Sequence, residues 1–182
     1  MEDVCRDVYA VAWKRRREGG RVGGRVGVHL VHHSDHHVDT TTANRHHPLE
    51  SMVRFSFTLL AVFILGAPIG IVMLYQSLSV VLSQFNHANI KLPLKLDQRL
   101  SYVLVTPHMH KVHHHYVLPY TDSNYGNIFA IWDRLFGTFK NLGEEHIVYG
   151  VDVFPNEEEN SRVGSLLKQP FQPYQKPTTQ AQ

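Results

Sequence analysis

The sequence predicts an all-α protein in which a helical hairpin enters a membrane and a histidine-rich helical cap lies on the cytosolic face. Residues 55–90 contain no Asp, Glu, Lys or Arg. A Gly-Ala-Pro break divides this run at residues 66–68. The pattern His-x-x-His-His occurs once before the run and once after it, at the spacing of neighbours on one helical face.

The charge-free run predicts the hairpin. One spanning helix needs roughly 20 apolar residues, so the run is long for one crossing and short for two full ones. Its middle reads Gly66-Ala67-Pro68-Ile69-Gly70, a sequence that favours a break. If the two histidine patterns share one metal site, they must lie on the same membrane face, which requires an even number of crossings. We therefore predict a hairpin over residues 51–88 with its bend near Pro68, after a helix start at Pro48.

The two histidine boxes predict the metal site. They are His29-x-x-His32-His33 and His110-x-x-His113-His114, and 13 of the 14 histidines fall between His29 and His115. Because i, i+3 and i+4 share a helix face, each box is expected to aim three imidazoles at one point, and the two boxes facing each other are expected to hold two metals. Neutral imidazole binds iron, zinc, copper and nickel. The residues between the histidines are Leu30-Val31 and Lys111-Val112, so the glutamate base of His-Glu-x-x-His zinc hydrolases has no counterpart.

Other side chains are compatible with more than one role. His87 lies between the boxes, where the apolar hairpin ends in polar residues, and this position favours a metal ligand. His47 is equally compatible with a metal ligand and with a hydrogen-bond donor to a metal ligand. We expect His36 and His37 to be solvated or hydrogen-bonded to metal ligands. His108 and His115 are expected to be neighbours of the site, and His146 to be on the surface. The carboxylates that could orient imidazole N–H groups, or otherwise serve as helix caps or solvated charges, are Asp35, Asp39, Asp122 and Asp133.

The remaining segments set the domain limits. Residues 1–27 are basic and rich in Gly and Arg, which predicts a disordered segment. Residues 28–150 form the membrane domain, and residues 151–182 are expected to be a loosely packed polar tail. Asp122 to Asn124 should cap a short amphipathic helix ending at Gly137, with an apolar face of Ile128, Ile131, Trp132, Leu135 and Phe136. The net charge of +2 gives no argument for nucleic-acid binding, and the single Cys5 excludes an internal disulfide and a cysteine-based metal site.

Residues 28–150 resemble the fatty acid hydroxylase/sterol desaturase family of membrane histidine-box di-iron oxygenases. The resemblance is carried, in this order, by His29-x-x-His32-His33-Ser34-Asp35, Asp39-x-x-Thr42-x-x-Arg45-x-His47-Pro48-x-Glu50, Phe85-x-His87-x-Asn89, Thr106-Pro107-x-x-His110-x-x-His113-His114, Thr121-Asp122-Ser123-Asn124-Tyr125-Gly126 and Trp132-Asp133-Arg134-Leu135-Phe136-Gly137-Thr138-Phe139.

This resemblance implies an integral membrane enzyme of a bacterial inner membrane or the endoplasmic reticulum. It implies two irons, dioxygen and electrons from an external donor or redox partner protein, used to hydroxylate or desaturate a lipid or sterol. The ligands it implies are His29, His32, His33, His87, His110, His113 and His114, with His47 as a weaker candidate. The rival hypothesis is a zinc-binding or transporter-like membrane module without redox chemistry.

The sequence departs from the family before the first box. The family carries an earlier histidine pair on the preceding helix, whereas residues 14–27 contain no histidine. We expect one metal to be under-coordinated and a chain starting at this Met1 to be nearly inactive, since loss of even an outer partner of a ligand costs about 10–100-fold. A different outcome would follow if His36, His37 or His46 substituted, or if a homodimer completed the site.

Overall fold

The computed structural model describes residues 24–172, and these residues form an all-α fold, as the sequence predicts. Their only β pairing consists of two isolated bridges, Leu104 with Phe129 and His115 with Tyr149. The α-helices are α1 (Gly24–His33), α2 (Pro48–Leu65), α3 (Ile69–His87), α4 (Leu94–Leu100), α5 (Pro107–His113), α6 (Ile131–Leu135), α7 (Glu157–Asn160) and α8 (Val163–Lys168). Three 3-10 helices cover Thr42–Asn44, Glu144–His146 and Gln169–Phe171.

Helices α2 and α3 form the predicted hairpin. The α2 helix starts at Pro48 and ends where Gly66 adopts a left-handed conformation with φ of 59°, which glycine enters without a Cβ penalty. The α3 helix follows directly after Pro68. Both helices are long and apolar enough to span a membrane. Within the chain, 0% of the apolar stretch of α2 and 11% of that of α3 is buried. At 18 and 19 residues they extend about 27–28 Å, close to the thickness of a hydrocarbon core.

The segment that connects α5 to α6 differs from the prediction. The α6 helix begins after Ala130, so Asp122 to Asn124 do not cap it, and Ile128 lies outside it. The preceding loop is held instead by Asp133, whose carboxylate accepts hydrogen bonds from the backbone N–H groups of Tyr125 and Gly126 at 2.8 and 2.9 Å. Gly137 follows the helix at φ of 69°, in the position predicted for the stop.

One terminal prediction needs correction where residues are described. Residues 1–23, which hold most of the segment predicted to be disordered, lie outside the described part, and α1 begins at Gly24. The C-terminal segment up to residue 172 is not loosely packed, because Val151 and Val153 form a buried cluster with Leu30 of α1. Residues 173–182 also lie outside the described part.

Candidate metal centre

Three helices bring the histidines together. The α1 helix carries the first box, and α5 carries His110 and His113, with His114 at its C-cap. The start of α5 is fixed by Thr106, whose side chain accepts a hydrogen bond from the N–H of Met109, and by Pro107 in the first turn. His87 is the last residue of α3. The end of the hairpin therefore meets both boxes at one place.

Four buried histidines form the first group, which is His32, His87, His110 and His114. The Nε2 atom of His87 lies 3.2 Å from that of His32, 3.0 Å from that of His110 and 3.2 Å from that of His114. All four rings are almost fully removed from solvent. We call this set the four-histidine group.

His29, His33 and His113 form a second group beside the first. The Nε2 atoms of His29 and His33 are 3.2 Å apart, and the ring centroids of His33 and His113 are 4.6 Å apart. His33 also lies against His114 of the four-histidine group, with centroids 4.7 Å apart. We call this set the three-histidine group.

Each box is shared between the two groups, which corrects the expectation that a box aims at a single point. The i, i+4 pair His29 and His33 enters the three-histidine group, and the i, i+4 pair His110 and His114 enters the four-histidine group. The i+3 residue of each box crosses to the other group. The reason is helical geometry, because positions i+3 and i+4 differ by about 100° around a helix with 3.6 residues per turn.

Hydrogen bonds at Nδ1 orient three of these rings. His87 lies 2.8 Å from the carbonyl of Ser83, and His113 lies 2.6 Å from the carbonyl of Ser123. His29 lies 2.8 Å from Oε1 of Glu50. A carbonyl or carboxylate oxygen only accepts, so each Nδ1 carries the proton and donates it. The Nε2 lone pair of each ring is thereby directed into its group.

The interior of the site favours neutral imidazole. Burial lowers the pKa of His32 and of His114 well below the usual value, and the neighbouring histidines lower it further. Neutral imidazole is the form that binds a metal, because its nitrogen must be deprotonated to act as a ligand.

His47 lies outside both groups. It is the N-cap of α2, where its Nδ1 accepts a hydrogen bond from the N–H of Leu49 at 3.1 Å, and its Nε2 lies 3.3 Å from the carbonyl of Leu167. Its neighbour His46 faces the site instead and belongs with His29 and Glu50 to a third set of possible ligands. Glu50 is a residue that sequence reasoning missed, although its place one helical turn after His46 was a usable signal.

The other residues singled out from the sequence take mainly structural places. Asp35 accepts a hydrogen bond from the Thr42 hydroxyl at 2.6 Å, and Asp39 accepts one from the N–H of Thr41 at 2.7 Å. Asp122 accepts one from the Tyr125 hydroxyl. The remaining histidines contact polar groups around the cap: His36 contacts Asn160, His37 contacts Glu157, His108 contacts Asn141, His115 accepts from the N–H of Val148, and His146 is exposed beside Glu145.

A cavity of about 320 Å³ lies between α2 and α3 and reaches His32 and His87 of the four-histidine group. Each helix contributes a polar stripe at helical spacing. The stripe on α2 is Ser51, Arg54 and Thr58, and the stripe on α3 is Gln76, Ser79, Ser83 and Gln84. Polar side chains within apolar spans commonly face a cavity or a functional site.

Fold and site together define a helical protein with two candidate membrane spans and a cluster of histidines that could hold metal ions. The family model for fatty acid hydroxylases matches residues 25–138, which is more than half of the chain. The chain therefore belongs to the fatty acid hydroxylase family.

Two characterised groups of proteins are similar to the chain. Over 100 residues it is 29% identical to ornithine lipid hydroxylase OlsE of Rhizobium tropici, covering 53% of this chain and 28% of that protein. Over 52 residues it is 42% identical to alkylglycerol monooxygenase of Homo sapiens, covering 29% of this chain and 12% of that protein. The chain thus matches only about a quarter or less of the length of these relatives. No solved structure matches it.

Proposed function

We propose that this chain holds the metal centre of a di-iron membrane hydroxylase, which uses dioxygen and electrons from an external donor to hydroxylate a lipid C–H bond. The observation that carries the proposal is the convergence of three ring nitrogens on Nε2 of His87, at 3.0–3.2 Å. Membership of the family supports the reaction class. The named activities of the similar proteins, hydroxylation of ornithine lipid and oxygenation of alkylglycerol, support a lipid substrate.

The donor set fits a metal. Two imidazole nitrogens bound at about 2.0–2.1 Å to one ion, at angles of about 90–109°, lie roughly 2.9–3.4 Å apart. The measured separations fall in this range. Hydrogen bonding among the rings cannot replace the ion, because the Nε2 lone pair of His87 can accept only one N–H and has three neighbours. The Nδ1 atoms of His32 and His114 are buried without a hydrogen-bond partner, so these rings are not fixed from outside.

The ligands we assign are the four-histidine group for one iron and the three-histidine group for the other. Iron in such a site supplies the redox chemistry that oxidises a C–H bond with dioxygen. The protein supplies three orienting acceptors, Ser83 O, Ser123 O and the Glu50 carboxylate. Burial also lowers the pKa of His32 and of His114, which favours the neutral form of these two rings. The assignment leaves His47 as the cap of α2 and not as a ligand.

The cavity between α2 and α3 is the proposed substrate site. It opens along the hairpin and ends at two members of the four-histidine group, His32 and His87. An acyl or alkyl chain that entered from the bilayer would reach the metal without crossing water. Arg54, which lines the cavity and lies 3.3 Å from Nε2 of His46, would face a polar group of the lipid. We place the histidines on the cytosolic face, where a redox partner protein can reach them.

Metal analysis tests the proposal. The full chain is purified anaerobically, and bound iron is measured before and after loading for His87→Ala and for the control His108→Ala. His108 lies on the same helix as the second box but contacts Asn141 instead of the groups. We expect His87→Ala to lose one iron equivalent and His108→Ala to retain the iron of the unmodified chain.

The same experiment distinguishes the proposed hydroxylase from the rival function. A zinc-binding or transporter-like module would take up zinc, bind no iron and consume no oxygen with a lipid panel and an electron donor. That result would overturn the proposal. The predicted defect from the missing histidine pair is tested separately, by placing a histidine-bearing helix before Val28 and comparing iron content with that of the present chain.

A further inference from the structure

An apolar surface on the cap lies beside the hairpin. It consists of exposed side chains on two adjoining segments: Tyr102, Val103, Phe129, Ile131, Leu135 and Phe136, with exposed fractions of 43–68%. The segments are joined by the bridge between Leu104 and Phe129 and by a hydrogen bond from the N–H of Ala130 to the carbonyl of Val103. A contiguous exposed patch of large apolar groups typically marks a contact with a partner or a membrane.

The position of this surface is fixed along α3. The side chain of Asn127 donates to the Ser79 hydroxyl at 2.9 Å, and Asn86 donates to the carbonyl of Asn127 at 2.7 Å. Ser79 precedes His87 by eight residues, which is about 12 Å along a helix. Phe129 follows Asn127 by two residues and therefore belongs to a loop that is held against α3 between Ser79 and Asn86. The surface is thus held beside the last turns of α3, in which Val80 and Val81 are also exposed.

Positive charge borders the apolar surface. Lys95, Arg99 and Arg134 line a depression of about 480 Å³ together with Gln98, Ser101, Tyr102, Phe139 and Asn141, and no carboxylate is among these described lining residues. The Arg134 guanidinium lies over the rings of Tyr102 and Phe139, at 4.3 and 4.0 Å from their centroids. Cations at the edge of an apolar surface are complementary to anionic lipid headgroups.

We propose that the apolar surface is immersed in the bilayer leaflet that the hairpin enters, with Lys95, Arg99 and Arg134 at anionic phospholipid headgroups. The cap then does not stand above the membrane on the hairpin alone. It is held against the leaflet by α6 and by the Tyr102–Val103 segment, which sets the height of the metal centre relative to the lipid. The inference requires that the hairpin be in the membrane, and it is independent of the identity of the metal and of catalysis.

Tryptophan fluorescence tests the inference on the full chain. Trp132 lies on α6 and stacks on Phe136, and the only other tryptophan, Trp13, is replaced by Phe. The protein is placed in phosphatidylcholine vesicles with and without phosphatidylglycerol. We expect lipids brominated on the acyl chain to quench Trp132 strongly and aqueous iodide to quench it weakly. Phosphatidylglycerol should increase the quenching by brominated lipid.

Two reporters calibrate the measurement in a chain without Trp13 and Trp132. Phe63→Trp lies on the exposed face of α2 and must be quenched by brominated lipid. His146→Trp lies on the exposed cap and must be quenched by iodide. With these satisfied, Trp132 quenched by iodide and not by lipid would overturn the inference. Protection from both quenchers would also overturn it and would indicate that a second copy of the chain covers this surface.

Variants at apolar and at charged positions test the apolar contact and the headgroup contact separately. Leu135→Glu should weaken lipid quenching of Trp132 several-fold, whereas Val163→Glu, on the exposed face of α8, should leave it unchanged. Lys95→Glu combined with Arg99→Glu should abolish the effect of phosphatidylglycerol. Equal behaviour of Leu135→Glu and Val163→Glu would contradict the apolar contact, and a retained phosphatidylglycerol effect in the charge variant would contradict the headgroup contact.

Discussion

At the scale of single residues, the carboxylate of Glu50 links the candidate membrane helix α2 to the candidate metal centre. Its Oε1 accepts a hydrogen bond from Nδ1 of His29, and its Oε2 lies 3.4 Å from Nδ1 of His46. The Nε2 of His46 in turn faces Arg54 in the cavity at 3.3 Å. Glu50 therefore orients a ring of the three-histidine group while belonging to the first turn of the hairpin.

Replacing Glu50 by Gln removes the charge that holds the Nδ1 proton of His29 but preserves the size of the side chain. Partners of this kind typically contribute about 10–100-fold to metal affinity. We expect Glu50→Gln to lower the affinity of one of two metal equivalents by that factor and to leave the other unchanged, because the ring that Glu50 orients is His29 of the three-histidine group. Isothermal titration with iron under anaerobic conditions measures this. Glu157→Gln, an exposed glutamate near His37, is the control and should bind both equivalents normally.

The sequence could predict that the two boxes supply the clustered histidines, but not that each box is divided between two groups, because that division depends on how α1 and α5 pack against each other. It could not distinguish His46 from His47. The choice depends on where α2 starts, since the residue at the N-cap turns its ring back to the helix N–H groups and its predecessor does not. Glu50 was missed because its contact with His29 spans 21 residues and exists only after α1 and α2 pack.

At the scale of secondary-structure elements, Asn124 joins the second box to the segment that follows α6. Its side chain donates to the carbonyls of Met109 and Lys140, both at 2.9 Å, and accepts from the N–H of Lys140 at 2.9 Å. It is completely buried and has a φ of 50°, which asparagine tolerates better than most residues. The family motif around residue 124 thus supports α5 and is not itself part of the ligand set.

We expect Asn124→Ala to destabilise the protein by about 2–5 kcal/mol, since buried backbone groups of Met109 and Lys140 lose their partners. Asn124→Gly should remain destabilised although glycine accepts the backbone conformation, which separates the hydrogen bonds from the φ effect. Thermal unfolding in detergent measures both. Asn141→Ala, at an exposed asparagine that contacts His108, should be close to neutral; a similar loss in Asn141→Ala would contradict the assigned role.

The hairpin was predictable because a charge-free run with a Gly-Pro break has few alternatives. The limits of α6 were not, because they depend on the loop before it. Asp133 lies inside the helix but bonds the backbone of Tyr125 and Gly126, so that loop is fixed by a side chain that follows it in sequence. An N-cap search that starts from Asp122 cannot detect this arrangement.

At the scale of the whole molecule, the C-terminal segment supports the first box from behind. The guanidinium of Arg45 donates to the carbonyl of Val31 at 3.0 Å, to the Ser34 hydroxyl at 3.2 Å and to the carbonyl of Asn160. Gln169 donates to the Asn160 side chain at 3.0 Å. The polar composition of residues 151–182 gave no indication of this packing, because the contacts are made by a few apolar residues and by buried amides.

The close approach of α1 to the 3-10 helix at Gln169–Phe171 gives a direct test of this support. A Cβ at Gly27 would lie 2.8 Å from the carbonyl oxygen and 2.9 Å from the Cα of Pro170, and both atoms belong to the backbone, so one segment must move. We expect Gly27→Ala to cost about 1–3 kcal/mol, as overpacking typically does, and to increase amide exchange in α1. Gly164→Ala, on α8 with nothing within 4 Å of the added Cβ, is the matched control. It should be neutral or stabilising by up to about 1 kcal/mol, since alanine favours a helix over glycine. If Gly27→Ala were as stable as Gly164→Ala and exchanged no faster in α1, the C-terminal segment would not be packed against the first box.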